Sequence, residues 1–315
     1  MNVVITEFID RAGVELLRAA GAHVVAEEKL WQQPERLQGL IRGADALIVR
    51  NQTQVDRALL SAAAALRVVG RLGVGLDNID LEACRERGIP VVFARGVNAP
   101  AVAEYVVAAM FSLVRPLLSA CEAVRRGEWP RQRFTGRELG GKTLGLVGFG
   151  AVGQEVARRA QALGMVVQAY DPVIEPGSPR LAELGVRCAP FEEILATSDF
   201  VSLHVPLTPA TRGMIGPAEL QRMKPGAYLI NTARGEIIDE RALLAALRAG
   251  QLAGAALDVR ASEPPPVGDE LAALPNVVST PHIAGLTVES QEQIAVRVAE
   301  DVLNVLRGAR PSMTA

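Results

Sequence analysis

The sequence predicts an α/β fold built from two parallel-sheet domains in tandem. Three observations carry this reading. Short apolar runs alternate with helical patterns through both halves of the chain, a glycine pattern joins a strand to a helix at 148–153, and 315 residues exceed what one hydrophobic core ordinarily supports. In the first series, runs at 3–6, 24–26, 46–49 and 68–69 read as strands, and 12–20, 34–41 and 55–64 read as helices. That unit closes near 89–93.

Residues 101–118 read as one long, mostly apolar helix entered through Asn98 and Pro100, with Pro116 near its end or at a kink. A helix apolar around most of its circumference is expected to be buried. The Arg-rich stretch 125–137 then projects, either as a solvated loop or as an arm gripping a second subunit. A second series follows: strand 143–148, helix 152–163, then strands 166–170, 200–204, 227–231, 255–259 and 277–279. The final helix, 288–307, lies too far along to serve that series as a crossover. Placed back on the first domain, it divides the chain into 1–98 with 287–315, and 99–286.

Composition narrows the ligand. A hydrophobic content of 49% suits a compact protein, and a net charge of -2 offers the nucleic-acid backbone no general attraction. A small neutral or anionic metabolite is the better expectation. Cys84, Cys121 and Cys188 form neither a CxxC pair nor an even disulfide set, which suits a reducing compartment, and no metal site is expected. The N-terminus reads as a strand and not as a signal segment, and the longest apolar stretch, 101–114, contains Glu104 and is too short for a bilayer. No membrane partner is expected, and the cytoplasm is the expected location.

Gly148, Phe149, Gly150, Ala151, Val152 and Gly153 make G-x-G-x-x-G between a strand and a helix start. Gly148 permits the tight turn, Gly150 lets backbone approach a pyrophosphate, and Gly153 allows close helix–strand packing, with helix N–H groups facing the phosphates. The next strand ends at Asp171, 18 residues past Gly153, where a carboxylate accepts bonds from ribose hydroxyls and repels a 2′-phosphate. Pro172, Val173 and Ile174 bring no compensating cation, so NAD is favoured over NADP.

Hydride transfer at a carbonyl needs a proton donor and a cation at the oxygens. Of three histidines, His23 begins a peripheral strand, and His204 ends a strand in the nucleotide unit, beside the cofactor or simply packed. His282, just past a strand end in Ser279-Thr280-Pro281-His282-Ile283-Ala284-Gly285, is the general acid/base candidate. Glu263, before a proline run, is the candidate neighbour, and Arg234 in Asn231-Thr232-Ala233-Arg234-Gly235 offers a planar fork for carboxylate and ketone oxygens.

The glycine motif with Asp171, the segment 231–235, Asp258 through Glu263, and Pro-His-Ile-Ala-Gly at 281–285 together resemble the D-isomer-specific 2-hydroxyacid dehydrogenase family. The resemblance covers nearly the whole chain. It implies two Rossmann-like domains, a flavodoxin-like substrate domain and an NAD-binding domain, with the active site in the cleft between them. It implies a catalytic set of Arg234, Glu263 and His282, the carboxylate supporting the histidine. Backbone N–H groups near Gly73, Val74 and Gly75 would receive the substrate carboxylate. The segment from Asn98 to Glu104 would lie near the nicotinamide, with Asp258 touching its carboxamide. His204, Ala233 and Gly285 join the expected cofactor contacts. Ala101 stands where the family usually has a hydroxyl residue, and Glu263 argues against the formate dehydrogenase branch, which carries glutamine there.

Arg50 and Asn51 follow a first-domain strand, and an arginine there suits a second anionic group such as the phosphate of 3-phosphoglycerate or the sulfonate of 3-sulfolactate. A surface ion pair is the alternative for Arg50, and glycerate/hydroxypyruvate or glyoxylate remains compatible. The expected protein is an NAD-dependent homodimeric dehydrogenase without a regulatory domain after the last helix. The alternative function is a catalytically silent NAD(H)-sensing binding protein on the same fold.

Overall fold

The computed structural model describes residues 1–175 and 177–315, and the chain divides into two compact units, Met1–Asn98 with Leu286–Ala315, and Ala99–Gly285. The first unit contains strands β1 (Asn2–Ile5), β2 (His23–Ala26), β3 (Ala46–Val49), β4 (Val68–Arg71) and β5 (Val91–Phe93). Between them run α1 (Arg11–Ala19), α2 (Pro34–Ile41), α3 (Arg57–Ala62) and α4 (Leu81–Glu86). The strands are all parallel in the order β2-β1-β3-β4-β5, the flavodoxin-like arrangement, whose strand order reverses between β1 and β3. Every residue of β3 is buried, as an apolar run covered on both faces requires. Asp10, Asp56 and Asp80 start their helices by accepting backbone N–H bonds two or three residues on.

The C-terminal helix, Val288–Leu306, belongs to this unit, and two glycines explain how it docks. A Cβ on Gly70 would fall 2.9 Å from Val298, and one on Gly13 would fall 2.8 Å from the Ala295 carbonyl. Both strand and helix therefore present bare backbone to it. Ile294, Val298 and Val302 then complete a core with Val3, Ile5, Ile48 and Val68.

The second unit opens with α5 (Ala99–Val114) and α6 (Leu117–Arg125). The single helix expected over 101–118 is in fact two, meeting at 56°. Pro116 has no N–H to continue the ladder and disfavours helical backbone at Arg115, so the chain turns there. Burial is also less complete than expected. Ala103, Val106 and Met110 are in the core, whereas Phe111, Leu117 and Leu118 are exposed. The Arg-rich segment that follows holds one 3₁₀ turn, Arg131–Phe134, with none of its side chains buried.

Then come β6 (Thr143–Val147), α7 (Ala151–Ala162), β7 (Val166–Tyr170), α8 (Pro179–Glu183), β8 (Arg187–Cys188), α9 (Phe191–Thr197) and β9 (Phe200–Leu203). The unit ends with α10 (Pro217–Arg222), β10 (Ala227–Asn231), α11 (Glu240–Arg248), β11 (Leu252–Leu257) and β12 (Val277–Ser279). Seven parallel strands run β12-β11-β10-β9-β6-β7-β8, so the order reverses between β6 and β9. Dinucleotides bind at such a reversal, outside the carboxyl ends of the strands. Two further boundaries differ from expectation. The first unit's third helix begins only at Arg57, because Val55 bridges to Ile79 and Asp56 caps it, and β11 begins at Leu252, three residues before the apolar run suggested.

Candidate active site

The glycine turn lies at the end of β6. Gly148 has φ of 99°, and a Cβ there would meet the His204 carbonyl at 2.7 Å; a Cβ on Gly153 would meet the Gly148 oxygen at 2.5 Å. The protein's own packing demands both glycines. Gly150, the N-cap of α7, has φ of -73° and nothing within 4 Å of a notional Cβ. No internal contact explains its lack of a side chain, which fits a position kept bare for an incoming phosphate. Ala151 is exposed beside it, and Val152 is half-buried.

Two expected cofactor contacts have other principal partners. The Phe149 ring is fully buried in the core, leaving only its backbone at the turn, and that N–H donates to Asp171 Oδ2 at 2.8 Å. Asp171 Oδ1 accepts from Val173 N–H at 3.0 Å. The carboxylate thus pins the glycine turn while its remaining lone pairs stay available to ribose hydroxyls. His204 is both beside this turn and packed: its Nε2 lies 2.9 Å from Ser202 Oγ, and burial pushes its pKa down to about 4. A histidine neutral at physiological pH has no proton to give there.

At the far side of the reversal, the ends of β10, β11 and β12 bring three loops together. Glu263 Oε2 lies 2.8 Å from His282 Nδ1. Burial pushes the Glu263 carboxyl up, but the bond and charge of His282, the Arg260 N–H and the charge of Arg234 outweigh it, and the net shift is downward. An ionised carboxylate only accepts, so Nδ1 carries the proton and Nε2 is the nitrogen left for chemistry.

Arg234 reaches this site through bare backbone. A Cβ on Gly235 would fall 1.9 Å from the Arg260 carbonyl carbon, so the 231–235 turn can press against the 260–263 turn only with glycine there. Asn231, fully buried, accepts from Ala233 N–H and donates to the Arg234 carbonyl, fixing the approach. The Glu263 turn has its own anchor. Arg260, its side chain 5% exposed, binds Glu240 through two 2.9 Å bonds and Asp269 through one of 2.5 Å, while its backbone N–H donates to Glu263 Oε1. Sequence reasoning passed over Arg260. Its only advance signal was a second charged residue, three positions past the end of β11 and two past Asp258.

Asp258 is buried and already engaged. Oδ1 accepts from Thr280 Oγ1 and Ile283 N–H, and Oδ2 from Ala284 N–H. These bonds shape the loop that carries His282, whose φ of 55° is the one positive value of a non-glycine residue among the described residues. Gly285 follows immediately, half-buried.

In the first unit, the expected substrate residues lie at the carboxyl ends of neighbouring strands. Glu7, 4% exposed, accepts from the backbone N–H groups of Arg50, Asn51, Gln52 and Thr53 at 2.9 to 3.1 Å. Asn78 closes the same turn by donating to the Arg50 and Thr53 carbonyls. Arg50 is half-buried with its guanidinium 5.9 Å from the Phe8 ring centre, and desolvation lowers its pKa. After β4, Gly73 takes φ of 145° beneath the Arg71 guanidinium, where a Cβ would meet Nη1 at 1.8 Å. The N–H groups of Val74 and Gly75 donate to no other group among the described residues. Asn98, half-buried, ends the first segment of this unit. No metal-like cluster of His, Cys, Asp and Glu occurs among the described residues.

A parallel sheet with a glycine turn at its reversal, facing an Arg-Glu-His cluster, defines a nicotinamide-dinucleotide dehydrogenase scaffold. Residues 107–284 match the model of the D-isomer specific 2-hydroxyacid dehydrogenase NAD binding domain, and the chain belongs to that family, with NAD as its cofactor. It is 47% identical over 305 residues to the (S)-sulfolactate dehydrogenase of Chromohalobacter salexigens, covering 97% of this chain and 98% of that one. It is 42% identical over 308 residues to a D-3-phosphoglycerate dehydrogenase of Archaeoglobus fulgidus; these cover 98% of this chain but 58% of that relative's length. Among solved structures, the TT0316 protein of Thermus thermophilus superimposes with a TM-score of 0.92 at 37% identity, covering all of both chains.

Proposed function

We propose that this chain is an NAD-dependent D-2-hydroxyacid dehydrogenase interconverting a small 2-hydroxy acid and its 2-oxo acid. The observation that carries the reading is the 2.8 Å contact between Glu263 and His282, which holds Nδ1 protonated and turns Nε2 to proton transfer. The dinucleotide, when bound on the glycine turn, supplies or accepts the hydride. His282 Nε2 protonates the nascent alkoxide in reduction and takes the hydroxyl proton in oxidation, and Glu263 stabilises the imidazolium side of that exchange. Arg234 holds the ketone and carboxylate oxygens, and the Val74 and Gly75 N–H groups receive the carboxylate.

Arg50 favours an acid with a second anionic group, because Glu7 and Asn78 fix its turn before any ligand arrives. The names of the relatives, sulfolactate and phosphoglycerate dehydrogenases, agree with that class. A homodimer is supported by the exposed Phe111, Leu117, Leu118 and Trp129 on and after α5 and α6. The free Cys84, Cys121 and Cys188 suit the cytoplasm.

The test is NADH formation or consumption across 3-phosphoglycerate, glycerate, lactate and the 3-sulfolactate enantiomers and their oxo acids, with His282→Asn alongside. The variant is expected to bind NADH normally and to lose nearly all turnover. Full activity in His282→Asn overturns the mechanism, and turnover with none of the panel overturns the substrate class.

A further inference from the structure

The acid/base histidine is held in a backbone conformation that its own residue type disfavours, and a buried chain of hydroxyls stands behind it. His282 has φ of 55°, in the left-handed region where a Cβ crowds the backbone. Its N–H donates to the Asp258 carbonyl at 2.8 Å, and the next two N–H groups, of Ile283 and Ala284, donate to the two oxygens of the Asp258 carboxylate. Thr280 Oγ1 makes the third bond to that carboxylate at 2.7 Å, and Tyr105 OH lies 2.5 Å from the same Oγ1. The Thr280 hydroxyl has one proton, which Asp258 takes, so Tyr105 is the donor to it.

Tyr105 stands on α5, six residues after that helix begins, and Thr280 stands just past β12. Their contact spans 175 residues of sequence and fastens the first turns of this unit to the loop with which it ends. Burial and the charge of Asp258 both raise the Tyr105 pKa, outweighing the bond to Thr280, which keeps the phenol protonated as a donor.

We propose that Tyr105 and Thr280 are positioning residues for His282, acting through Asp258. The directed chain from phenol to hydroxyl to carboxylate holds the plane of the Asp258 carboxylate so that one oxygen meets the Ile283 N–H and the other the Ala284 N–H. The 282–284 backbone, and with it the bond from Nδ1 to Glu263, follows from that orientation. The inference rests on His282 being the acid/base group, and its test includes a readout independent of turnover.

Thr280→Val keeps the shape and removes the hydroxyl, Thr280→Ser keeps the hydroxyl, and Tyr105→Phe removes only the phenolic O–H. In the unliganded protein the imidazole NMR signals of His282, one of three histidines, are expected to move in Thr280→Val and to stay in place in Thr280→Ser. In turnover with whichever panel acid is used, Thr280→Val is expected to lower kcat on the order of tenfold with NADH affinity unchanged, as a displaced catalytic group does. Thr280→Ser restores the rate. Because Tyr105 acts through the hydroxyl, adding Tyr105→Phe to Thr280→Val is expected to cost nothing more. Unmoved His282 signals in Thr280→Val overturn the proposal, as do a Ser variant as slow as the Val variant and additive losses in the double variant. If the NMR shifts occur while His282→Asn stays active, the positioning stands and the catalytic reading falls.

Discussion

Glu263 Oε2 and His282 Nδ1, 19 residues apart in sequence, meet at 2.8 Å, and each side of the contact is held by a separate buried group, the Asp258 carboxylate on one and the Arg260 guanidinium on the other. Asp258 shapes the histidine loop, while Glu240 and Asp269 clamp Arg260, whose N–H in turn orients Glu263. An ionised Glu263 obliges Nδ1 to carry the ring proton, whereas the amide of Glu263→Gln keeps the shape but can donate as well as accept and no longer imposes that tautomer. With Nε2 no longer assigned to the substrate side, kcat for oxo-acid reduction at neutral pH is expected to fall about 10- to 100-fold with NADH affinity unchanged. Steady-state kinetics beside an NADH titration checks this, and an unchanged kcat would falsify the supporting role.

Two glycines of the turn predict opposite phenotypes. Gly153→Ala puts a methyl 2.5 Å from the Gly148 oxygen, so it is expected to destabilise the fold by about 1–3 kcal/mol. Gly150→Ala meets nothing in the protein and is expected to leave the melting temperature in place while weakening NADH binding by at least about tenfold, since the backbone can no longer approach the pyrophosphate. Thermal melts read beside NADH fluorescence titrations separate the two. Equal NADH affinity in Gly150→Ala removes the phosphate from that position.

Much of this was legible because it is local. The strand runs have period and length, and the glycine turn is one contiguous motif. Asp10, Asp56 and Asp80 each stand next to the helix whose first N–H groups they accept from, within three residues of chain. What was illegible is long-range. Glu7 meets its partners 43 to 46 residues away, Thr280 meets Asp258 across 22, and Tyr105 meets Thr280 across 175, so no window of sequence contains both ends. The two-residue β8 and the six-residue α4 failed for a different reason, being too short to show a period. Asp258 was read through the family resemblance as a carboxamide contact; the loop bonds that occupy its carboxylate could be seen only in three dimensions.

Glu7 predicts an acid-sensitive first unit. Burial raises its pKa, but the backbone N–H bonds from Thr53, Gln52 and Arg50 and the Thr53 hydroxyl outweigh it, and the net shift is below the ordinary 4.5. A carboxyl depressed on folding contributes stability that is complete above its unfolded value and disappears as pH falls through the folded one. Chemical denaturation is thus expected to show stability declining below about pH 4.5. Glu7→Gln, whose amide turns two donors toward backbone donors, should lose about 2–3 kcal/mol at pH 7 and show a flatter acid decline. An acid slope unchanged from the parent assigns that titration to other carboxylates.

Asp171 carries two duties, and the prediction must separate them. Its oxygens already accept from Phe149 and Val173 N–H, and of roughly four lone-pair positions about two remain for ribose hydroxyls. Asp171→Ala removes the turn's anchor and the ribose acceptor together, so NAD affinity is expected to fall by at least about tenfold, or about 1.4 kcal/mol. Loss of the anchor alone would weaken NAD and NADP equally, since both bear the same pyrophosphate. Loss of the charge acts on one of them, because only NADP carries a 2′-phosphate for the carboxylate to repel. The ratio of kcat/KM for the two cofactors is therefore the informative quantity, and it is expected to shift toward NADP while both absolute values drop. A proportional drop in both, with the ratio intact, would leave Asp171 as a structural clamp and move the discrimination elsewhere in the turn.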